Sequence, residues 1–314
     1  MTNVLVPTAP SGSGAPSTDA DTYGSAVAAS LARRKRRLMR YLRDREVSIP
    51  LTAFILIILF CFLGPVILGL PGPNAGVIGI KNSLRPLNSG GLTNLLGTDI
   101  DGNSLFSRLL YGGQVSLEVG LGATAIGFVI GSLLGTFAGY LGGFVDALVM
   151  RILDIQLAFP GLILALAIAS YLGPSELHVI YALSFFSIPG YGRLTRAQAL
   201  RLRERDFIAA SRSMGASVWY VMRRHMSPNI VPQMLTFAFL QIGAAILAEA
   251  ALSYLGAGIP FPQPSWGNMI RAGQDYLPVR PDFVLIPGAM LFMTILSCNL
   301  LANGLRSVAS SEAE

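Results

Sequence analysis

Charge is what this 314-residue chain has least of: Asp, Glu, Lys and Arg make up 13% of it, against roughly a quarter in a soluble domain. Cysteine is nearly absent too. Cys61 and Cys298 both fall in apolar stretches, and two isolated thiols make neither a disulfide framework nor a metal site. The two histidines, His178 and His225, stand far apart without ligand spacing. Lys35 and Lys81 are the only lysines, and neither lies in the G-x-x-x-x-G-K-[ST] context of a phosphate-binding loop. No paired carboxylates, histidine cluster or nucleophile motif stands near a span mouth, so no catalytic activity and no cofactor are assigned to the chain itself.

What is abundant is apolar sequence: 52% of residues, with a mean hydropathy of +0.57. It comes in blocks separated by polar, Arg-rich stretches. A spanning helix needs roughly 20 predominantly apolar residues. The blocks are Pro50–Leu70, Val115–Tyr140, Ile152–Leu172, His178–Tyr191, Val231–Tyr254 and Phe283–Asn303; the fourth is short and needs flanking residues. We therefore expect an all-α, polytopic membrane protein with six transmembrane helices. Glu118, Asp146, Arg151, Asp154 and Glu249 lie near block ends, where side chains reach water or headgroups, and Arg151 and Asp154 could pair three residues apart. No charge sits at a block centre, which argues against a proton relay. No inverted repeat of the secondary-carrier type is visible.

Residues 1–45 read as a disordered tail ending in a basic run, Arg33-Arg34-Lys35-Arg36-Arg37, continued by Arg40, Arg43 and Arg45. Such a run suits nucleic acid or lipid. Immediately before a span, it also fixes a cytoplasmic N-terminus. We read it as the topological signal with anionic-lipid contact, and assign no nucleic-acid partner. The first apolar block is too long for a signal peptide and is expected to be retained. With six spans and the N-terminus inside, 18 of the 23 basic residues fall on the cytoplasmic side. Both termini are thus expected inside, with a membrane domain at 46–308 and a short tail at 309–314.

Along the second block and just past its end, Gly127, Gly131, Gly135, Gly139 and Gly143 recur every fourth residue, and Ala123 extends the row. That spacing keeps small residues on one helix side and permits close approach of another helix in lipid.

The loop at 193–230 is basic yet patterned. Phe207, Ala210 and Met214 fall at helical spacing, beside Ala209 and Ser211. Gly215 is placed to end a helix that begins near Asp206, with Ala216 after it. Ser217 can then cap a second helix over Val218–Met226, past His225, with Pro228 and Asn229 beyond and Pro228 as the stop. Docking into a partner's groove and lying on the membrane surface both fit this composition. Outside, Gly258 to Trp266 is Pro-rich. Glu249 and Trp266 there could serve an outer gate or contact a binding protein, and an interfacial Trp anchor is the plain alternative.

Asp206 to Asn229 resembles the cytoplasmic "EAA" loop of ABC-importer permeases. Ala210, Gly215 and Pro228 match its pattern; Ala209 stands in place of the Glu, Ser211 in place of the second Ala, and Ser227 where Leu is frequent. Leu96-Gly97-Thr98-Asp99, Ser107-Arg108, Ala138-Gly139-Tyr140, Phe159-Pro160-Gly161, Glu249 to Gly256 and Pro264 to Asn268 are similar, in order, to segments of the dipeptide/oligopeptide (and nickel) ABC importer permeases, C-type subunit. The resemblance spans about residues 45–308. It implies a type I ABC importer permease fold in the cell membrane and a second homologous permease. It also implies two ATPase domains carrying ATP and Mg2+, an extracytoplasmic substrate-binding protein, and a coupling role for the Asp206–Asn229 loop. Peptides are the implied cargo, with nickel or another small solute as the alternative. A carrier without an ATPase is the rival class.

Overall fold

The computed structural model describes residues 44–76, 87 and 94–311. The expected N-terminal tail and its basic run lie outside the described residues, apart from Asp44 and Arg45. The described residues are almost wholly helical: α1 (Arg45–Ile67), α2 (Leu105–Leu141), α3 (Gly143–Leu157), α4 (Gly161–Leu172), α5 (Glu176–Arg203), α6 (Asp206–Ser213), α7 (Val218–Val221), α8 (Ser227–Leu255), α9 (Trp266–Gly273) and α10 (Asp282–Ser311). A π turn at Met222–Met226 joins α7 to α8, and a 3-10 turn at Gln274–Tyr276 follows α9. α10 runs past residue 308 into the expected tail.

Four helical stretches are long and apolar enough to cross a membrane: Arg45–Ile67, Leu105–Leu141, Val218–Leu255 and Asp282–Val308. The expected third span is not one straight helix. It breaks into α3 and α4 with a bend of 86°, because Pro160 disfavours a helical Phe159 and cannot donate to the ladder. Counted as one, the pair makes a fifth crossing. The expected fourth span lies inside the 28-residue α5, whose second half carries Arg193, Arg196, Arg201 and Arg203. Six crossings remain compatible with these elements.

α2 is the axis of the bundle and packs against α1, α5, α8 and α9. It starts where Ser104 Oγ accepts the Ser107 N–H at 3.2 Å and stops at Gly142, whose φ is 68°. One apolar cluster joins α1, α2, α8, α9 and α10 around Leu110, Leu117, Ile246, Trp266 and Cys298. A second, around Ile208, Val221, Met226 and Met234, underlies the 206–226 segment. Many apolar side chains face outward, among them Val66, Phe144 and Tyr171, as a lipid-facing or partner-facing surface requires.

Two expected boundaries move. Pro228 does not stop a helix: the chain continues as one helical stretch, Val218–Leu255. The π turn before it widens the ladder, with the Ser227 N–H reaching the Met222 carbonyl, and so makes room for the proline ring that a tight α-helical turn would crowd. Gly143 leaves the glycine row. It opens α3 beyond the end of α2, at φ 55° with nothing within 4 Å of its would-be Cβ.

Candidate functional site

The remaining glycines line a seam between α2 and α5. A Cβ at Gly127 would strike Ser187, at Gly131 the Ile188 carbonyl and Tyr191, at Gly135 the Gly192 carbonyl and Thr195, and at Gly139 the Arg196 carbonyl and Ala199. Steps of four on α2 thus meet steps of four on α5, backbone nearly on backbone. Below the seam, Arg196 forks onto Asp146 and Arg193 Nη2 reaches Asp154 Oδ1 at 2.6 Å. Asp154 therefore pairs with Arg193 on α5, not with Arg151 as its spacing suggested.

α5 leads directly into the Asp206–Asn229 segment. In α6, Ile208 and Ser211 are buried, with Ile208 packed beside Tyr140, Ala199, Val221 and Met222. Phe207, Ala209, Ala210 and Met214 are exposed. Met214, the residue that caps α6, shows 81% of its surface, a large value for an apolar side chain. Gly215 turns the chain at φ 80°, a left-handed conformation that costs other residues roughly 1–2 kcal/mol. The Ala216 N–H then bonds the Ser211 carbonyl at 3.1 Å. Ser217 Oγ accepts the Tyr220 N–H at 3.3 Å and starts α7, whose Val218, Trp219 and Tyr220 are also exposed.

His225 sits between the rings of Phe207 and Tyr220, with centroids 6.0 and 5.7 Å away. Asn229 Nδ2 donates to the His225 carbonyl at 2.6 Å. Asp206 lies exposed in the first turn of α6, and Pro228 and Asn229 lie exposed in the first turn of α8. Arg212 reaches back to the Arg203 carbonyl at 3.1 Å and over the Tyr140 ring at 5.4 Å. The result is a braced elbow with an apolar and aromatic outer face, rimmed by exposed Arg201, Arg205, Arg212, Arg223 and Arg224.

At the opposite end, Glu249 and Trp266 are both fully buried. Neither can be a contact surface for a binding protein, Trp266 is no interfacial anchor, and Glu249 does not reach water or headgroups. The reason is tertiary: α9 folds back over α2 and α8. Trp266 Nε1 donates to the Leu109 carbonyl at 3.1 Å, and Ser116 and Ser253 donate to Glu249 at 2.8 and 2.7 Å. Ser116 and Ser253 escaped the reading of the sequence; the i, i+4 placement of Ser253 after Glu249 was the available signal. Phe261 and Val279 are exposed at this end instead. Beside them, Arg108 lies over the Phe261 ring at 5.6 Å and 3.5 Å from Asp99. Among the described residues no group of His, Cys, Asp and Glu is arranged to hold a metal ion.

A polytopic helical bundle, one end covered by a folded-back segment and the other presenting a braced apolar elbow, defines an integral membrane protein. The family described as "Binding-protein-dependent transport system inner membrane component" matches residues 131–310, and the chain belongs to it. The chain is 42% identical over 221 residues to the glutathione transport system permease protein GsiD of Escherichia coli O6:K15:H31, covering 70% of this chain and 73% of that one. It is 39% identical over 274 residues to a protein of Brucella abortus biovar 1 named as a peptide transport system permease, covering 87% and 89%. Among solved structures, a chain of the inward-facing MetNI methionine ABC transporter superposes with a TM-score of 0.53 at 20% identity, covering 64% of this chain and 96% of that one. This last likeness concerns the fold.

Proposed function

We propose that this permease subunit forms half of the translocation pathway of an ABC importer for short peptides. In this reading a second homologous permease forms the other half, and two ATPase domains supply the energy. An extracytoplasmic protein delivers the cargo, and both termini of the chain are cytoplasmic. The ATPases, not this chain, bind ATP and Mg2+. The cargo assignment draws on relatives named for peptides and for glutathione, itself a tripeptide.

The observation that carries the coupling role is the elbow. Phe207, Ala210, Met214 and Trp219 are exposed on a segment whose other face is locked into the bundle by Ile208 and Val221. Small side chains at Ala209 and Ala210 allow a partner's surface to come close, and the bracing passes its displacement into α5 and α8. The test is to assemble the complex in vesicles with its binding protein and identify the ligand that protein carries by mass spectrometry. A short peptide, taken up only with ATP and the ATPases, supports the reading. A non-peptide ligand overturns the cargo, and uptake without ATPases overturns the mechanism.

A further inference from the structure

The outer segment between α8 and α9 is tied down in an unusual way. Ser116 Oγ accepts the Trp266 N–H at 3.2 Å and gives its own proton to Glu249 Oε2 at 2.8 Å. Ser253 Oγ accepts the Ile259 N–H at 3.0 Å and gives its proton to Glu249 Oε1 at 2.7 Å. Two hydroxyls, one from α2 and one from α8, thus each carry a backbone N–H of the returning segment onto one carboxylate. Between them Ser265 closes a cap of its own, accepting the Asn268 N–H at 3.2 Å.

The carboxylate is fully buried, and the groups that hold it are hydroxyls. A buried carboxylate needs donors to offset desolvation, so its presence enforces the geometry of both. A hydroxyl serves because it donates once and accepts at the same time. Closeness is required as well. A Cβ on Gly267 would meet the Ala250 carbonyl oxygen at 2.5 Å, so the segment lies on the α8 backbone one residue from Glu249. A neutral filler of the same size would leave two hydroxyl protons without an acceptor and two ends of the segment loosened together.

We infer that Glu249 is the positioning residue of the outer segment: one carboxylate that, through Ser116 and Ser253, pins both Ile259 and Trp266 and so sets the outer closure of this half of the pathway. The closure role rests on the importer reading above; the positional role does not.

The experiment uses the assembled complex in detergent, with single reporters Ile259→Cys and Met269→Cys. Both positions are only 6% exposed. Cys61 and Cys298, both buried, serve as internal controls. Maleimide labelling is read by mass spectrometry of peptides. Glu249→Met, which fills the volume and accepts nothing, is expected to raise labelling at both reporters at least tenfold with Cys61 and Cys298 still protected. Ser253→Ala is expected to release position 259 alone, and Ser116→Ala position 269 alone. If Glu249→Met does not assemble, Glu249→Gln is read by the same criteria with a smaller rise.

Unchanged protection at both reporters overturns the inference. So does labelling of Cys61 and Cys298 together with the reporters, since the carboxylate would then hold the whole bundle. Peptide uptake per ATP is expected to fall at least tenfold in vesicles holding Glu249→Met; unchanged uptake overturns the closure role. A wild-type complex that imports nothing would sink the importer reading and leave the labelling result standing.

Discussion

Arg196 sets Nε and Nη2 on the two carboxylate oxygens of Asp146, at 2.5 and 2.6 Å, across fifty residues of chain. This fork fastens the first turn of α3 to α5. Lysine keeps the charge but cannot span both oxygens. Arg196→Lys is expected to destabilise the purified protein by about 1 kcal/mol, as suits a partly exposed pair. Thermal unfolding in detergent should show a midpoint lower by a few degrees. Asp146→Ala should cost a similar amount, and the double substitution less than the sum of the two; strict additivity would mean that the pair contributes nothing.

The α2–α5 seam makes a sharper contrast. At Gly135 a Cβ meets the Gly192 backbone, whereas at Gly122 it finds Ile180 side-chain atoms at 3.4 Å and beyond. Gly135→Ala is expected to destabilise by roughly 1–3 kcal/mol through overpacking. Gly122→Ala should be neutral or stabilising by up to about 1 kcal/mol, the helix-propensity gain. Equal melting temperatures for the two variants would refute the seam.

Gly215→Leu is expected to leave membrane insertion and assembly intact while transport falls far more than ATP hydrolysis does. The left-handed turn at φ 80° aims α6 and α7, and a side chain there re-aims them. Wild-type transport by the purified variant complex would count decisively against the coupling role.

The exposed face of the elbow should behave as an interface. Met214→Glu puts a charge into the contact and is expected to cut ATPase co-purification at least tenfold, about 1.4 kcal/mol. A cysteine at Ala210 should crosslink to the ATPase in the assembled complex, and repeated failure would place the contact elsewhere.

Periodicity carried well where contacts are local. The four-residue glycine step was visible because a helix repeats it, and Gly215 was visible because a residue type prefers its backbone. Gly143 fitted the same step and falls off the row only because Gly142 turns the chain. Pro228 looked like a stop because proline usually is one; the π turn that admits it leaves no sequence period. The break at Pro160 was passed over when Ile152–Leu172 was counted as one span; proline chemistry allows it, and its angle is set by packing against α5, where Gln156 bonds the Phe185 carbonyl. Glu249 was misplaced because its burial is decided by residues 259–268, which fold back over it. No window of sequence around Glu249 contains that information.

The unbroken stretch Val218–Leu255, 38 residues, has a mechanical corollary. At 1.5 Å per residue it is a rod about 57 Å long, with the elbow at one end and Glu249 near the other. Tilting such a rod by roughly 5° about its midpoint swings each tip about 2.5 Å in opposite directions. That throw is comparable to the length of the hydrogen bonds at Ser116 and Ser253. A modest stroke delivered at Trp219 is therefore geometrically sufficient to strain the pins at the rod's other end, with the π turn at Met222–Met226 as the compliant joint that sets how much of it arrives.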